Sequence, residues 1–113
     1  METTFEKRNN VGIVTASGQL NAASVDAFRG QFLRWWDGAP ELRNAVLDLS
    51  RVGFMDSSGL GAVIALLKRV ADRGGDLKLS GMNSKIRMVF EITRAHRVFD
   101  IHDSVDRAVA ACS

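Results

Sequence analysis

Hydrophobic positions along the chain change period several times, and each change marks an element. In Val11 to Gly18, Ile13, Val14 and Ala16 form a β-rich run closed by a glycine, and Thr3 to Arg8 reads as the other arm of a hairpin turning at Asn9-Asn10. From Ala22 the spacing becomes helical, with Val25, Phe28, Phe32 and one of Trp35 or Trp36 recurring on one face. Asp37-Gly38-Ala39-Pro40 supplies a C-terminal glycine and a breaker that stop this helix. Asn44 to Ser50 holds a nearly continuous apolar run, Ala45, Val46, Leu47 and Leu49, of the kind found in a strand buried on both faces.

A tight polar corner around Asp56 follows, and then Leu60, Val63, Ile64, Leu67 and Val70 at helical spacing up to Gly74-Gly75. Leu77 and Leu79 alternate with Lys78 in the next strand. Ile86, Val89 and Phe90 mark a third helix started by Asn83 or Ser84, and Val98 to Ile101 reads as a short strand. Val105, Ala108 and Val109 place a last helix after the cap Asp103 or Ser104. Helices alternating with strands predict an α/β fold: one domain over residues 1–113, with a mixed, mainly parallel, helix-covered sheet of about four to five strands and about four helices.

Composition narrows the class. At 113 residues, 46% hydrophobic and 25% charged, the chain can bury one core without metals or disulfides. Cys112, the only cysteine, has no internal partner, so a reducing, cytoplasmic setting is the default. The start, Met1 to Arg8, lacks the pattern of a signal peptide, and no stretch approaches the ~18 apolar residues that span a bilayer. The expectation is a soluble protein that makes no membrane contact. A net charge of only +2 gives no electrostatic case for nucleic acid. One local exception is the basic segment Lys85, Arg87, Arg94 and Arg97, opposed mainly by Glu91. It reads first as a solvated helix face, and second as a partner or phosphate contact.

The richest chemistry lies in Met55 to Gly61, where small hydroxyl residues sit between a buried strand and a helix. Asp56 or Ser57 is a plausible N-cap, because the first amides of a helix have no partner within it. Gly59 and Gly61 in the first turn lower helix propensity, which points either to close approach by another molecule or to packing on the sheet. A nucleophile elbow fails at Met55, a Walker loop lacks its lysine, and a dinucleotide loop lacks its third glycine. His96 and His102 are the only imidazoles and both read as surface residues, and no residues have metal-ligand spacing. No enzyme activity, cofactor or metal is expected.

Phe54-Met55-Asp56-Ser57-Ser58-Gly59-Leu60-Gly61 resembles the phosphorylation motif of the STAS-domain anti-sigma-factor antagonists, bacterial partner-switching regulators of transcription. Gly18-Gln19-Leu20-Asn21 falls where that family has Gly-Glu-Leu-Asp. Gly74-Gly75-Asp76-Leu77 and Phe90-Glu91-Ile92-Thr93 also stand at family-like positions. The resemblance implies that Ser57 is the phosphoacceptor, with Ser58 the less favoured hydroxyl. It also implies that Gln19, Asn21, Asp56, Ser57, Ser58, Gly59, Leu60 and Gly61 meet a partner. That partner would be an anti-sigma factor that is also a serine kinase of the histidine-kinase-like ATPase type. Unphosphorylated antagonist would capture it and release the sigma factor, and a metal-dependent serine phosphatase would restore Ser57.

Three features depart from the family pattern: Gln19 and Asn21 replace acidic residues, and Thr93-Arg94-Ala95 replaces Thr-Gly-Leu. The neutral pair leaves room for an alternative, a STAS scaffold or ligand-sensing module in a larger signalling or transport assembly whose serine is never phosphorylated. Of Trp35 and Trp36, one ring is expected in the core and the other at its rim.

Overall fold

The computed structural model describes residues 1–112. Five strands, β1 (Glu2–Arg8), β2 (Val11–Leu20), β3 (Asn44–Met55), β4 (Leu77–Ser80) and β5 (Asp100–His102), form one sheet in the order β1-β2-β3-β4-β5. The β1–β2 pair is antiparallel, and β2–β3, β3–β4 and β4–β5 are parallel. Helices α1 (Val25–Asp37), α2 (Ser57–Ala71), α3 (Ser84–Ile92) and α4 (Val105–Ala111) complete the order, with a 3₁₀ turn at Ala95–Arg97. The hairpin turns as expected: Asn9 and Asn10 both take positive φ, 52° and 65°, as a two-residue turn matched to strand twist requires.

Alternation along the strands divides the side chains between two faces. Val14, Ala16, Ala45, Leu47, Leu49, Leu77 and Leu79 meet Phe28, Phe32, Trp36, Val63, Leu66, Ile86 and Phe90 of α1, α2 and α3 in one core. Fully burying each large side chain contributes on the order of 1.5–3 kcal/mol. Trp36 fills this core, whereas Trp35 is half-buried at its rim and stacks on Phe5 with centroids 4.9 Å apart. Gly12 makes room for that ring, since a Cβ there would lie 2.5 Å from it. Arg73, in the turn after α2, ties the end of α1 down: it donates to the carbonyls of Trp36, Ala39 and Leu42 and stacks over the Trp36 ring at 4.2 Å.

On the other face, among the described residues, only α4 packs, through Ala108 and Val109 against Val11, Ile13 and Val46. The expectation of a helix-covered sheet therefore holds for one face and fails for half of the other. Glu2, Thr4, Thr15, Ser17, Asp48 and Arg51 line an open polar groove there. Their side chains are hydrophilic and need no cover.

Two boundaries also differ from expectation. β3 runs on past Ser50 to Met55, because beyond Asp48 it keeps β2 as a neighbour although β4 has ended. β5 starts at Asp100, not Val98, because Val98 closes the 3₁₀ turn by donating to Ala95 O at 2.9 Å.

On the α4 side, Lys78 is 8% exposed and lies 2.7 Å from Asp100 and 3.3 Å from Asp76. Burial works to lower its pKa, and the two carboxylate hydrogen bonds outweigh that and raise it. The hydrogen bond from Lys78, followed by that from His102, lowers the pKa of Asp100. A lowered carboxylate pKa gives stability that is present above the ordinary value and is lost as pH falls through the folded one. Urea midpoints below about pH 4 are therefore expected to fall more steeply for the wild-type chain than for Asp100→Asn. Parallel curves would refute the linkage.

Candidate functional site at the ends of the central strands

β2 and β3 are parallel, so the chain leaves both at the same edge of the fold. Gln19 aligns with Phe54 and Leu20 with Met55, and Asp56 N–H donates to Leu20 O at 3.3 Å. The two turns that follow, 19–24 and 56–61, therefore form one corner. This is the usual placement of sites in open α/β sheets, outside the carboxyl ends of the strands.

Asp56 is the N-cap of α2. Its backbone is extended (φ −106°, ψ −171°), its carboxylate accepts from Gly59 N at 3.0 Å, and its carbonyl accepts from Leu60 N at 3.0 Å. That choice between the two capping candidates leaves Ser57 as the first residue of the helix, exposed, with its hydroxyl free of any structural hydrogen bond among the described residues. Ser58 is half-buried.

The two glycines are there for different reasons. Gly59 is buried, and a Cβ on it would sit 2.3 Å from Leu20 O and 2.9 Å from Met55 Cγ, so packing requires it. Gly61 is exposed, and a Cβ there would meet nothing within 4 Å. Leu60 points into the core at 7% exposure. Of the residues expected at a partner contact, Gln19, Ser57 and Gly61 face solvent fully, and Asn21, Asp56 and Ser58 partly.

The 19–24 turn is built by side chains. Ser24 Oγ donates to Gln19 O at 2.8 Å and accepts from Asn21 N at 3.1 Å, while Asn21 Oδ1 accepts from Ala23 N at 3.0 Å. Asn21 Nδ2 donates to Gln19 Oε1 at 3.3 Å. An acidic pair at these two positions would place like charges where this chain has a neutral hydrogen bond.

Two further residues join the corner that were not assigned from sequence. Phe54 is 46% exposed beside Gln19: the β2–β3 register skips a residue between Val52 and Phe54, which turns Phe54 outward and Met55 inward. Asn83 Nδ2 lies 3.3 Å from Val52 O and 3.4 Å from Gly53 O, while its Oδ1 caps α3 at Ile86 N, 2.9 Å away. The capping signal at Asn83 was readable, but its reach to β3 was not.

The histidines lie elsewhere. His96 is exposed with Nδ1 3.2 Å from Phe90 O. His102, expected at the surface, is half-buried in β5 with Nε2 2.9 Å from an Asp100 oxygen. Among the described residues no hydrogen bond or ion pair links an imidazole to Ser57 or Ser58, and no group of three or more His, Cys, Asp or Glu could hold a metal ion. Nor is any described helix long and apolar enough to cross a membrane. The corner presents an exposed hydroxyl at the first turn of α2.

The family model described as the STAS domain matches residues 2–108. The chain belongs to the STAS domain family. Among STAS relatives it is 30% identical to the anti-sigma-B factor antagonist of Bacillus subtilis, over 78% of each chain. It is 29% identical to BtrV of Bordetella bronchiseptica, a candidate anti-sigma factor antagonist, over 98% of this chain and 94% of BtrV. The crystal structure of TM1081 from Thermotoga maritima shares the fold with a TM-score of 0.90 at 24% identity, covering 97% of this chain and 93% of that one.

In this STAS chain the open space over Gly61 has a measurable consequence. Gly61→Ala is expected to raise stability by about 0.5–1 kcal/mol, the helix-propensity difference at a site without a clash. A loss of stability in chemical denaturation would refute that reading of Gly61.

Proposed function

We propose that the chain is a cytoplasmic anti-sigma-factor antagonist whose partner is an anti-sigma factor that is also a serine kinase of the histidine-kinase-like ATPase type. Unphosphorylated chain captures that partner and frees the sigma factor, and phosphorylation of Ser57 ends the capture. The observation that carries this reading is the Ser57 hydroxyl, exposed at the first position of α2 while Asp56 performs the capping. Asp56, Ser57, Ser58, Gly61, Gln19 and Asn21 form the contact surface, with Gly59 and Leu60 holding it from below.

The chain supplies the acceptor and no catalytic group. In the kinase, Ser57 Oγ attacks the γ-phosphorus of ATP. The Oγ–P bond forms as the bond to the ADP oxygen breaks, and the hydroxyl proton passes to a base of the kinase. The product carries about −1.5 to −2 charges at pH 7. A helix N-terminus tolerates such an anion, so the fold persists and the change falls on the docked surface. About 3 kcal/mol of lost contact energy is a hundredfold or more in affinity. A metal-dependent serine phosphatase reverses the step by hydrolysing the Ser57 ester.

The test is intact-mass spectrometry after incubation with ATP, magnesium and the histidine-kinase-like ATPases of the same organism, each purified. One added phosphate on wild type and Ser58→Ala, absent from Ser57→Ala, is expected. No added phosphate from a kinase that phosphorylates a control antagonist would replace this reading with that of a constitutive scaffold.

A further inference from the structure

The large apolar side chains left exposed are Phe54, Met88, Ile92 and Val98, and three of these belong to α3 and the turn that follows it. Helical geometry explains the first two. Ile86, Val89 and Phe90 turn towards the sheet, which leaves Met88 and Ile92, four residues apart, on the outer face with Lys85 one turn before Met88. Met88 is 59% exposed, Ile92 75% and Val98 63%. Single exposed apolar residues are ordinary, but a cluster on one short element calls for an explanation.

The charges around the cluster are equally unbalanced. Among the described residues Lys85, Arg87, Arg94 and Arg97 make no ion pair, and neither does Glu91, the only acid between them. Unpaired cations occur elsewhere too, but these four fall within thirteen residues of chain and share that stretch with Met88 and Ile92. Arg94 also sits at φ +62°, ψ 15°, a left-handed conformation that costs a non-glycine residue about 1–2 kcal/mol. Glycine would relieve that cost, so the guanidinium is kept where the backbone disfavours it. The Asn83 cap joins the start of α3 to the Val52 and Gly53 carbonyls, next to Phe54 and the corner.

We propose that the outer face of α3, with the 3₁₀ turn, is a second contact surface for the same protein partner that engages Ser57, and that it receives an acidic segment carrying apolar side chains. The proposal rests on the antagonist reading above and adds the chemistry of a second recognition element. Unpaired cations at a rim steer association, and desolvated apolar side chains between them slow release. The Asn83 bonds place the start of α3 beside the corner, so a protein docked on Ser57 reaches Lys85 and Met88 first and the 3₁₀ turn farther along the same helix, and a helix of nine residues offers little area to a bilayer.

The test is a kinetic binding titration against the purified partner kinase, using side chains exposed enough that their replacement leaves the core intact. Lys85→Glu/Arg87→Glu is expected to weaken binding at least tenfold, mainly through slower association, and to flatten its salt dependence. Met88→Ala/Ile92→Ala is expected to weaken it about tenfold through faster dissociation. Arg94→Gly is expected to unfold at higher denaturant yet bind severalfold more weakly, a combination that a purely structural role does not produce. Affinities within twofold of wild type for all three, while Ser57→Glu still loses binding, would overturn the α3 surface and leave the antagonist reading standing. A wild-type chain that does not bind the kinase would sink both. Sedimentation with phosphatidylserine vesicles that is lost in Lys85→Glu/Arg87→Glu, with kinase affinity unchanged, would give the face to lipid and overturn the proposal.

Discussion

Gly59→Ala is expected to lower the stability of the chain by about 3 kcal/mol, against a total of roughly 5–15 kcal/mol for a domain of this size. The new methyl group would sit 2.3 Å from Leu20 O, a backbone atom that cannot swing aside as a side-chain terminus would. It would also crowd Met55, so either α2 lifts away from β3 or the end of β2 moves. Both routes strain the bond from Asp56 N–H to Leu20 O, which holds the two turns of the corner together. Thermal unfolding should shift down by roughly 10 °C. Partner affinity should fall with it, because Gln19 and Asn21 no longer stand at a fixed distance from Ser57. An unfolding midpoint within one or two degrees of wild type would show that the helix N-terminus is looser than its packing indicates.

Ser57→Glu is expected to separate stability from binding in the opposite way. The side chain is exposed at the first position of α2, where a carboxylate meets the positive end of the helix and contributes about 0.3–1 kcal/mol. The folded state should therefore be unharmed or slightly improved. Binding to the anti-sigma partner should fall by about a hundredfold, the equivalent of about 3 kcal/mol, because charge and bulk enter a surface matched to a neutral hydroxyl. The measurements are a denaturation curve and a titration on the same preparation. Wild-type affinity in Ser57→Glu would remove Ser57 from the interface. A collapse of stability would mean that the hydroxyl position is structural.

Much of the fold was legible because local chemistry and tertiary demand agree. Asn9-Asn10 can take positive φ and does, the Val25–Trp36 stripe is helical and buried, and the capping set Asp56, Asn83 and Ser104 starts three helices. What escaped depends on neighbours distant in sequence. The polar stretch Ser50 to Gly53 does not look like strand, yet it pairs with the end of β2. Val98 looks like strand because it is apolar, yet it ends a turn and faces solvent. The open half of the second sheet face came from Thr4, Thr15 and Ser17, which alternate as strand residues without saying what covers them.

The site divides along the same line. The strand–corner–helix pattern offered Asp56 and Ser57 as alternative caps, the role of Ser57 as acceptor came only from the family resemblance, and Gly59 and Gly61 were noticed without being told apart. Only the sheet register shows that one glycine faces Leu20 and the other faces nothing. The outward Phe54 follows from an irregularity in pairing that the alternation of Val52 to Met55 does not announce. The departure at Arg94 was visible, but its outcome was not: the turn survives, with arginine in the left-handed conformation.

Strand order in this sheet repeats strand order in the chain. A polypeptide emerging from the ribosome can therefore add each strand to the growing edge as it appears, with no earlier strand waiting for a later one to slot between. The corner needs only β2, β3 and the start of α2, so residues 11–61 bring its two turns together before β4 or β5 has been synthesised. Ser57 is then among the first residues to take its place, and the α3 face among the last. Early pairing of neighbours keeps loop-closure costs low and exposed strand edges short-lived.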